Sequence, residues 1–155
     1  MCANDADNQF DGAIDLENAK CALYGRSVAF CKGKETVAFD GRGISPLMQA
    51  IKNGYNFQGF AVADAIVGKA AAMLFCKMKV AVVYGRVTSK SAFEFLARHD
   101  IPCTYDVLTE NIVNRGGTDV CPMEKAVCGI EDCEEGYIAL SRALSDLQKG
   151  NDHAI

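Results

Sequence analysis

The sequence lacks the features of several large classes of protein. It has no tryptophan, and its net charge is −4 at pH 7. With this acidic balance, no basic footprint indicates binding to a nucleic-acid polymer. No apolar run reaches the roughly 18 residues that span a bilayer, so no membrane segment is expected. Residues 1–12 are polar and acidic, unlike a signal peptide, so we expect a cytoplasmic protein.

Two common uses of cysteine are also missing. The eight cysteines include no C-x-x-C pair, and neither of the two histidines lies among Cys121, Cys128 and Cys133. A metal site is therefore not expected, and no other cofactor is indicated. Other cysteines are scattered through apolar segments, and no secretion signal precedes them. We expect reduced, mostly buried thiols rather than disulfides.

What remains is the composition of one globular domain. Hydrophobic residues make up 50% of the 155 residues and charged residues 23%. That is enough apolar material for a core. We expect a disordered segment at residues 1–12, a single domain at residues 13–149 and a frayed tail at residues 150–155.

Residue patterns predict strands and helices in alternation. Two β-rich runs, residues 21–32 and 35–40, flank Gly33 and predict a hairpin. Ser45 followed by Pro46 predicts a helix start. Further elements are expected as a helical turn at 14–19, strands at 57–63, 80–84 and 102–107, and helices at 46–53, 65–78, 89–98 and 134–148, with another helix start at 121–122. This order predicts an α/β fold, a three-layer α-β-α sandwich with a mixed sheet of about five strands.

Residues 59–86 are predicted to form a strand, a buried helix and a second strand. Asp64, the predicted cap of that helix, and Lys69 in its first turn are charged residues in an apolar setting. Such charges need each other, water or a ligand. Ligands of α/β folds collect where helices follow strands, so a pocket is expected here. Thr88 and Ser89 begin the next helix and could either hold an anion or act as ordinary caps.

A polar loop, residues 110–124, is expected to close this pocket. Arg115, next to Asn114, could bind a phosphate or carboxylate through two hydrogen bonds, or stay solvated. Cys121 and Glu124 have the spacing of a capping box at a helix start. A thiol at a helix start is a candidate nucleophile. Glu124 is either a general base or the ion-pair partner of a nearby cation.

Glycines near the pocket have two interpretations each. The segment 41–43, Gly-Arg-Gly, could cradle a phosphate or form a tight turn. Gly68 lies inside the predicted helix, where it costs about 1 kcal/mol relative to alanine. This cost indicates a close neighbour, either backbone or a flat ligand. Gly68 and Lys69 also match the end of a P-loop, but Ala63 and Ala70 replace its first glycine and its Ser/Thr, which excludes that motif.

The order of elements resembles the cytidine deaminase-like fold. The two zinc motifs of deaminases, (His or Cys)-Ala-Glu and Pro-Cys-x-x-Cys, fall on residues 66–68 and 88–92, which lack those ligands. The phrases GISPL (43–47), D-x-x-VGKAAA (64–72), S-x-x-A (89–92) and NR followed by CPME (114–124) resemble an uncharacterised family of unknown function in the deaminase-like superfamily. The resemblance implies the fold over residues 13–130, no zinc-dependent deamination, and self-association into a homo-oligomer.

Three functional hypotheses follow. The first is a zinc-free pocket for a small anionic or nucleotide-like ligand, lined by Asp64, Lys69, Thr88, Ser89, Asn114 and Arg115. The second is an enzyme with Cys121 as nucleophile and Glu124 or Asp64 as base, acting on an amide, amidine or nucleobase-like group. The third is a structural or assembly module whose ionic groups form only a network.

Overall fold

A computed structural model of the chain describes residues 4–113, 117 and 119–152. Its elements are α1 (Asn4–Leu23), β1 (Val28–Lys32), β2 (Glu35–Phe39), α2 (Ser45–Lys52), β3 (Ala61–Val67), α3 (Lys69–Met78), β4 (Val82–Ser89), α4 (Lys90–Arg98), β5 (Cys103–Thr109), α5 (Pro122–Ala126) and α6 (Cys133–Asp152). Within these described ranges, no helix is long and apolar enough to cross a membrane.

The five strands form one mixed sheet in the order β2-β1-β3-β4-β5. β1 pairs antiparallel with both β2 and β3, whereas β3, β4 and β5 are parallel. Gly33, with φ of +60°, lies in the turn between β1 and β2, which confirms the predicted hairpin. The parallel strands are connected through α3 and α4, as parallel pairs require. The α/β class and the mixed sheet are therefore confirmed.

Helices cover the sheet on both faces. Val28 and Phe30 of β1 belong to a core shared with α2 through α6, whereas Ala29 and Cys31 pack with α1. Successive strand residues point to opposite faces of a sheet. The alternation therefore places α1 in one layer, the sheet in the second and the other helices in the third. This arrangement is the predicted three-layer sandwich.

Phe30 is the centre of an aromatic cluster in the larger core. Its ring stacks on Phe57 with centroids 3.9 Å apart and planes 4° apart. Phe75 of α3 meets the same ring edge-on at 6.4 Å. Burying one such side chain contributes about 1.5–3 kcal/mol. The cluster fixes α3 against the sheet, and so fixes the position of the β3–α3 junction.

That junction differs from the sequence prediction. β3 extends to Val67 and α3 begins at Lys69, so the predicted helix cap at Asp64 is wrong. β3 pairs in register with β4 as far as Val67 and Thr88. The β-branched side chains of Ile66 and Val67 suit this longer strand. Asp64 therefore lies within a strand.

The chain ends also differ from prediction. α1 begins at Asn4, where disorder was expected for residues 1–12, and it replaces the predicted strand start at Cys21. Ala19 and Leu23 are buried against the sheet, so tertiary packing holds the last turns of α1. α6 continues to Asp152, into the predicted tail.

The cysteines are less buried than expected. Cys31 is fully buried, Cys21 and Cys128 are exposed, and the other described cysteines are half-buried. The expectation of mostly buried thiols is therefore wrong for the two exposed residues, which lie near the ends of α1 and α5 rather than in strands.

Candidate functional site

A cavity of about 860 Å³ lies where β3 ends and α3 begins. The sequence predicts a pocket at this place. Four segments contribute to its wall: the start of β1, the loop before α2, the β3–α3 junction, and the segment that leads into α5. Its polar lining residues are Arg26, Ser27, Asp64, Cys121 and Glu124. The volume is within the range of about 300–1,000 Å³ found for small-molecule sites.

Asp64 is the most buried carboxyl of this wall. Its residue is only 9% exposed, and its Oδ1 accepts a hydrogen bond from the Ile66 N–H at 3.2 Å. Burial raises the pKa of Asp64 to about 7, against the smaller lowering effect of backbone hydrogen bonds. Near neutral pH this carboxyl can therefore hold a proton or release it.

Asp64 itself lines the cavity wall. Among the residues that the structure describes, no hydrogen bond to its second oxygen, Oδ2, is found. The neighbours of Asp64 in register, Val28 and Gly85, carry no charge. A ligand group in the cavity can thus meet this oxygen directly.

Glu124 closes the first turn of α3. Its Oε1 accepts from the Lys69 N–H at 2.7 Å and its Oε2 from the Ala70 N–H at 2.8 Å. An anion at a helix N-terminus is favoured because the N–H groups there have no partner in the helix. Burial raises the pKa of Glu124, while these two bonds and the charge of Lys69 act in the opposite direction. Glu124 is therefore a cap supplied by a distant segment.

Gly68 makes room for this cap. It is the N-cap residue of α3, with an extended backbone at φ −97°. A β-carbon there would lie 1.9 Å from Oε1 of Glu124. The glycine is therefore required by a close neighbour, as predicted, although the neighbour is a carboxylate rather than backbone or a flat ligand.

The side chain of Lys69 does not line the cavity. The residue is half-buried, and among the described residues its ammonium makes no ion pair within 4.0 Å. The backbone N–H of Lys69, rather than its charge, takes part in the site through Glu124.

Thr88 and Ser89 are fully buried and lie away from the cavity wall. Thr88 Oγ1 donates to the carbonyl of Gly85 at 3.0 Å. Ser89 Oγ accepts from the Ala92 N–H at 3.1 Å and so caps α4. Ser89 was predicted either to hold an anion or to cap a helix, and its geometry supports the helix cap.

The segment before α5 supplies the thiol of the cavity wall. Cys121 lines the cavity, and its backbone N–H donates to the carbonyl of Ile112 at 2.9 Å. It is the N-cap residue of α5, but its side chain makes no cap hydrogen bond. Asn114 and Arg115, the other predicted ligand contacts of this segment, lie outside the described residues.

The hairpin side of the cavity was missed by sequence reasoning. Arg26 lines it, and its guanidinium donates to Asp40 Oδ1 at 2.9 Å and to the carbonyl of Ala38 at 3.1 Å. Ser27 lines it as well and donates through Oγ to the carbonyl of Gly41 at 3.0 Å. Because β1 runs antiparallel to β3, the start of β1 lies beside the end of β3. A prediction of that antiparallel pairing would have placed both Arg26 and Ser27 at the cavity.

The Gly-Arg-Gly segment contributes only its glycines. Gly41 and Gly43 line the cavity, whereas Arg42 does not. Their φ values of +153° and +54° favour glycine and indicate a tight turn. Among residues 4–113, 117 and 119–152, no three His, Cys, Asp or Glu side chains come close enough to hold a metal ion.

Known proteins resemble the chain over most of its length. It is similar to the crystal structure of a DUF1893 family protein (TM1506) from Thermotoga maritima at 2.70 Å resolution, with a TM-score of 0.74 and 27% identity over 83% of this chain and 90% of that one. No curated protein gives a significant match. The family described as TM1506, domain of unknown function (DUF1893), matches residues 20–144. This chain belongs to the TM1506 (DUF1893) family, a domain of unknown function.

Proposed function

We propose that the chain binds a small molecule in the cavity at the β3–α3 junction, with Asp64 as its main polar contact. One observation carries the proposal: a carboxyl that is nine-tenths buried lines a cavity of about 860 Å³, and its Oδ2 accepts no hydrogen bond among the described residues. Burying a carboxyl without a compensating partner costs folding free energy. Fold stability therefore does not explain Asp64, whereas a ligand contact does.

The apolar wall of the cavity supports a ligand with an apolar or aromatic body. Ile66 and Val113 line the cavity and are 55% and 56% exposed. Large apolar side chains exposed around a pocket are typical of binding sites. A nucleotide-like ligand suits this wall, with its base against the apolar residues and any anionic group near Arg26.

We infer that the fold is related to the deaminases. The antiparallel hairpin followed by two parallel β-α units supports this relation. Residues 66–68 lead directly into α3, and residues 88–92 span the start of α4, the places of the two zinc motifs. Ile66 and Gly68 offer no ligand atom to a zinc ion. The residues present do not fit the metal, and the proposed function is zinc-independent.

A second candidate is an enzyme, because Cys121 and Asp64 line the same cavity. Both oxygens of Glu124 are bonded to backbone N–H groups, so Asp64 is the better general base of the two. Asp64 would take the proton of the Cys121 thiol, and the thiolate would add to the carbon of an amide, amidine or nucleobase-like group and break its C=O or C=N π bond. Protonated Asp64 would then return the proton to the departing amine, and water would hydrolyse the C–S bond to free the thiol. Alkylation of the native protein tests this candidate: reactivity well below about pH 8 that Cys121→Ser abolishes favours it, and an inert thiol removes it.

The resemblance to deaminase-like domains also supports a proposal that the chain forms homo-oligomers. Light scattering of the purified chain tests this proposal. A mass of more than one chain is expected, and a monomer at every concentration would contradict it.

A thermal-shift screen with nucleosides, nucleotides and sugar phosphates tests the binding proposal. Ile66→Trp is the variant to compare, because Ile66 lines the cavity from an exposed position, where a larger side chain would occupy part of the space for a ligand. Ile138→Trp is its control, since Ile138 is 50% exposed on α6 and outside the wall. We expect at least one compound class to raise Tm in the wild type and in Ile138→Trp but not in Ile66→Trp. Shifts that survive Ile66→Trp would overturn the proposal.

A further inference from the structure

We infer that the part of the ligand that reaches Asp64 is a cationic N–H donor, such as an amidinium or a protonated amine, on a compact apolar body. This inference rests on the proposed function, because it requires that the cavity bind a ligand. It goes beyond that function by naming the charge of the group at Asp64.

The place where an anion would ordinarily bind is already filled. A helix start such as that of α3 attracts anions through its free N–H groups. Here the N–H groups of Lys69 and Ala70 are bonded to Glu124, at 2.7 Å and 2.8 Å. Glu124 also lines the cavity. An anionic ligand group at this junction would therefore find two of the helix-start donors taken and a carboxylate beside it.

Asp64 pairs with no cation within 4.0 Å in the part of the chain that the structure describes. Of the described residues, Arg26 and Glu124 are the other charged side chains that line the cavity. The guanidinium of Arg26 is paired with Asp40 at 2.9 Å. A ligand cation would supply the missing partner of Asp64.

The three possible ligand charges differ in what they do to this carboxyl. A cation stabilises ionised Asp64, and its effect is strong where water is displaced. A neutral amide can share a hydrogen bond with Asp64 but leaves its charge uncompensated. An anion is repelled by both Asp64 and Glu124. The cation is the one of the three that compensates the charge of Asp64 when this buried carboxyl is ionised.

The rest of the wall sets the shape of the ligand. Ile44, Ile66, Val113 and Met123 give the cavity apolar surface around its few polar groups. Such a wall favours a flat or compact apolar body next to the group that meets Asp64. A ring that carries a single amidinium combines both properties.

Benzamidine, benzamide and benzoate form a matched set to test the charge, because they share one ring and differ in charge at similar size. Calorimetric titration of the purified chain gives their affinities. We expect benzamidine to bind about tenfold or more tightly than either of the others, which corresponds to about 1.4 kcal/mol. Repeating the titration in buffers of different ionisation enthalpy should show a proton released when benzamidine binds near neutral pH.

Asp64→Asn tests the contact, since the amide has the same shape without the charge. We expect this variant to lose about tenfold in affinity for benzamidine and to keep its affinity for benzamide within about twofold. Asp119→Asn makes the same chemical change at an exposed residue outside the wall and should change neither affinity. Retained circular dichroism and a cooperative thermal unfolding transition in both variants show that they are folded.

Each other result has a defined meaning. Benzoate binding as tightly as benzamidine, or benzamidine binding unchanged in Asp64→Asn, overturns the inference and leaves the binding proposal in place. If none of the three compounds binds but the nucleotide screen finds a ligand, the inference is also overturned and the binding proposal stands. If neither the three compounds nor the screen gives a ligand, both the inference and the proposed function are wrong.

Discussion

Oε1 of Glu124 lies 1.9 Å from the position that a β-carbon on Gly68 would occupy. The carboxylate thus stands where any other residue at position 68 would place its side chain. It is held there by the N–H groups of Lys69 and Ala70. Gly68 and Glu124 therefore act together: the glycine leaves space for the carboxylate, and the carboxylate caps the first turn of α3.

Gly68→Ala should therefore destabilise the fold through Glu124. The backbone at Gly68 suits alanine, with φ −97°, so the cost comes from displacing the carboxylate. We expect a loss of about 1–3 kcal/mol in the free energy of unfolding. In a Glu124→Ala background the same change should cost less than about 0.5 kcal/mol, because the clash is gone. Urea denaturation of the four proteins gives the coupling, and strictly additive effects would refute it.

Glu124→Ala alone removes the cap of α3. Two N–H groups then lose their acceptor, and we expect the free energy of unfolding to fall by about 1–2 kcal/mol. Glu94→Ala is the matched control, since Glu94 is exposed on α4 and should stay within about 0.5 kcal/mol of the wild type. Equal effects of the two changes in chemical denaturation would show that Glu124 does not act as a cap.

Asp64 should make stability fall as pH rises. Burial raises its pKa from the ordinary 3.8 to about 7, so the folded chain holds the proton more tightly than the unfolded chain. The resulting stability is fully present below about pH 4 and is lost as pH rises through about pH 7. Asp64→Asn cannot ionise. The stability of this variant relative to wild type should therefore rise by up to about 4 kcal/mol across that window.

Asp119 should make stability depend on pH in the opposite direction, and it serves as the control for the measurement on Asp64. Its hydrogen bond from Lys125 lowers the pKa of its carboxyl. Stability from Asp119 is therefore present above the ordinary carboxyl range and lost as pH falls through the lowered pKa. Denaturation curves measured across the pH range give the slope of the free energy of unfolding against pH. Near neutral pH, this slope should be the same in Asp119→Asn as in the wild type. The claim for Asp64 fails if Asp64→Asn keeps that slope too.

Phe30 should be among the most costly residues of the core to truncate. It is fully buried and stacks on Phe57 at 3.9 Å. Phe30→Ala is expected to lower the free energy of unfolding by about 3–5 kcal/mol. Tyr24→Ala removes an aromatic ring that is 89% exposed and should change it by less than about 0.5 kcal/mol. A small effect of Phe30→Ala would mean that the aromatic cluster does not hold α3 on the sheet.

Local features of the fold could be predicted from the sequence. Gly33 between two β-rich runs gives the hairpin, because glycine readily takes the positive φ of +60° found there. Ser89 ahead of a helical pattern gives the cap of α4, since the hydroxyl and the Ala92 N–H that it meets are three residues apart. In both cases the interacting groups are close in sequence.

Features decided by distant partners could not be predicted. Asp64 ahead of an apolar run has the sequence pattern of a helix cap, but pairing with β4 keeps it in a strand. Glu124 meets the Lys69 N–H across 55 residues. One sequence prediction for Glu124 was an ion pair with a nearby cation. In the structure its carboxylate accepts hydrogen bonds from backbone N–H groups instead. Arg26 joins the cavity only because β1 lies antiparallel beside β3.

A crystallographic fragment screen tests the central claim, that the cavity beside Asp64 is a binding site. Small compounds of all charges would be soaked into crystals of the full chain, and the positions of bound fragments would be compared over the whole surface. We predict that bound fragments gather in the cavity at the β3–α3 junction and that their N–H groups contact Oδ2 of Asp64. Fragments that bind elsewhere while this cavity holds only water would contradict the claim.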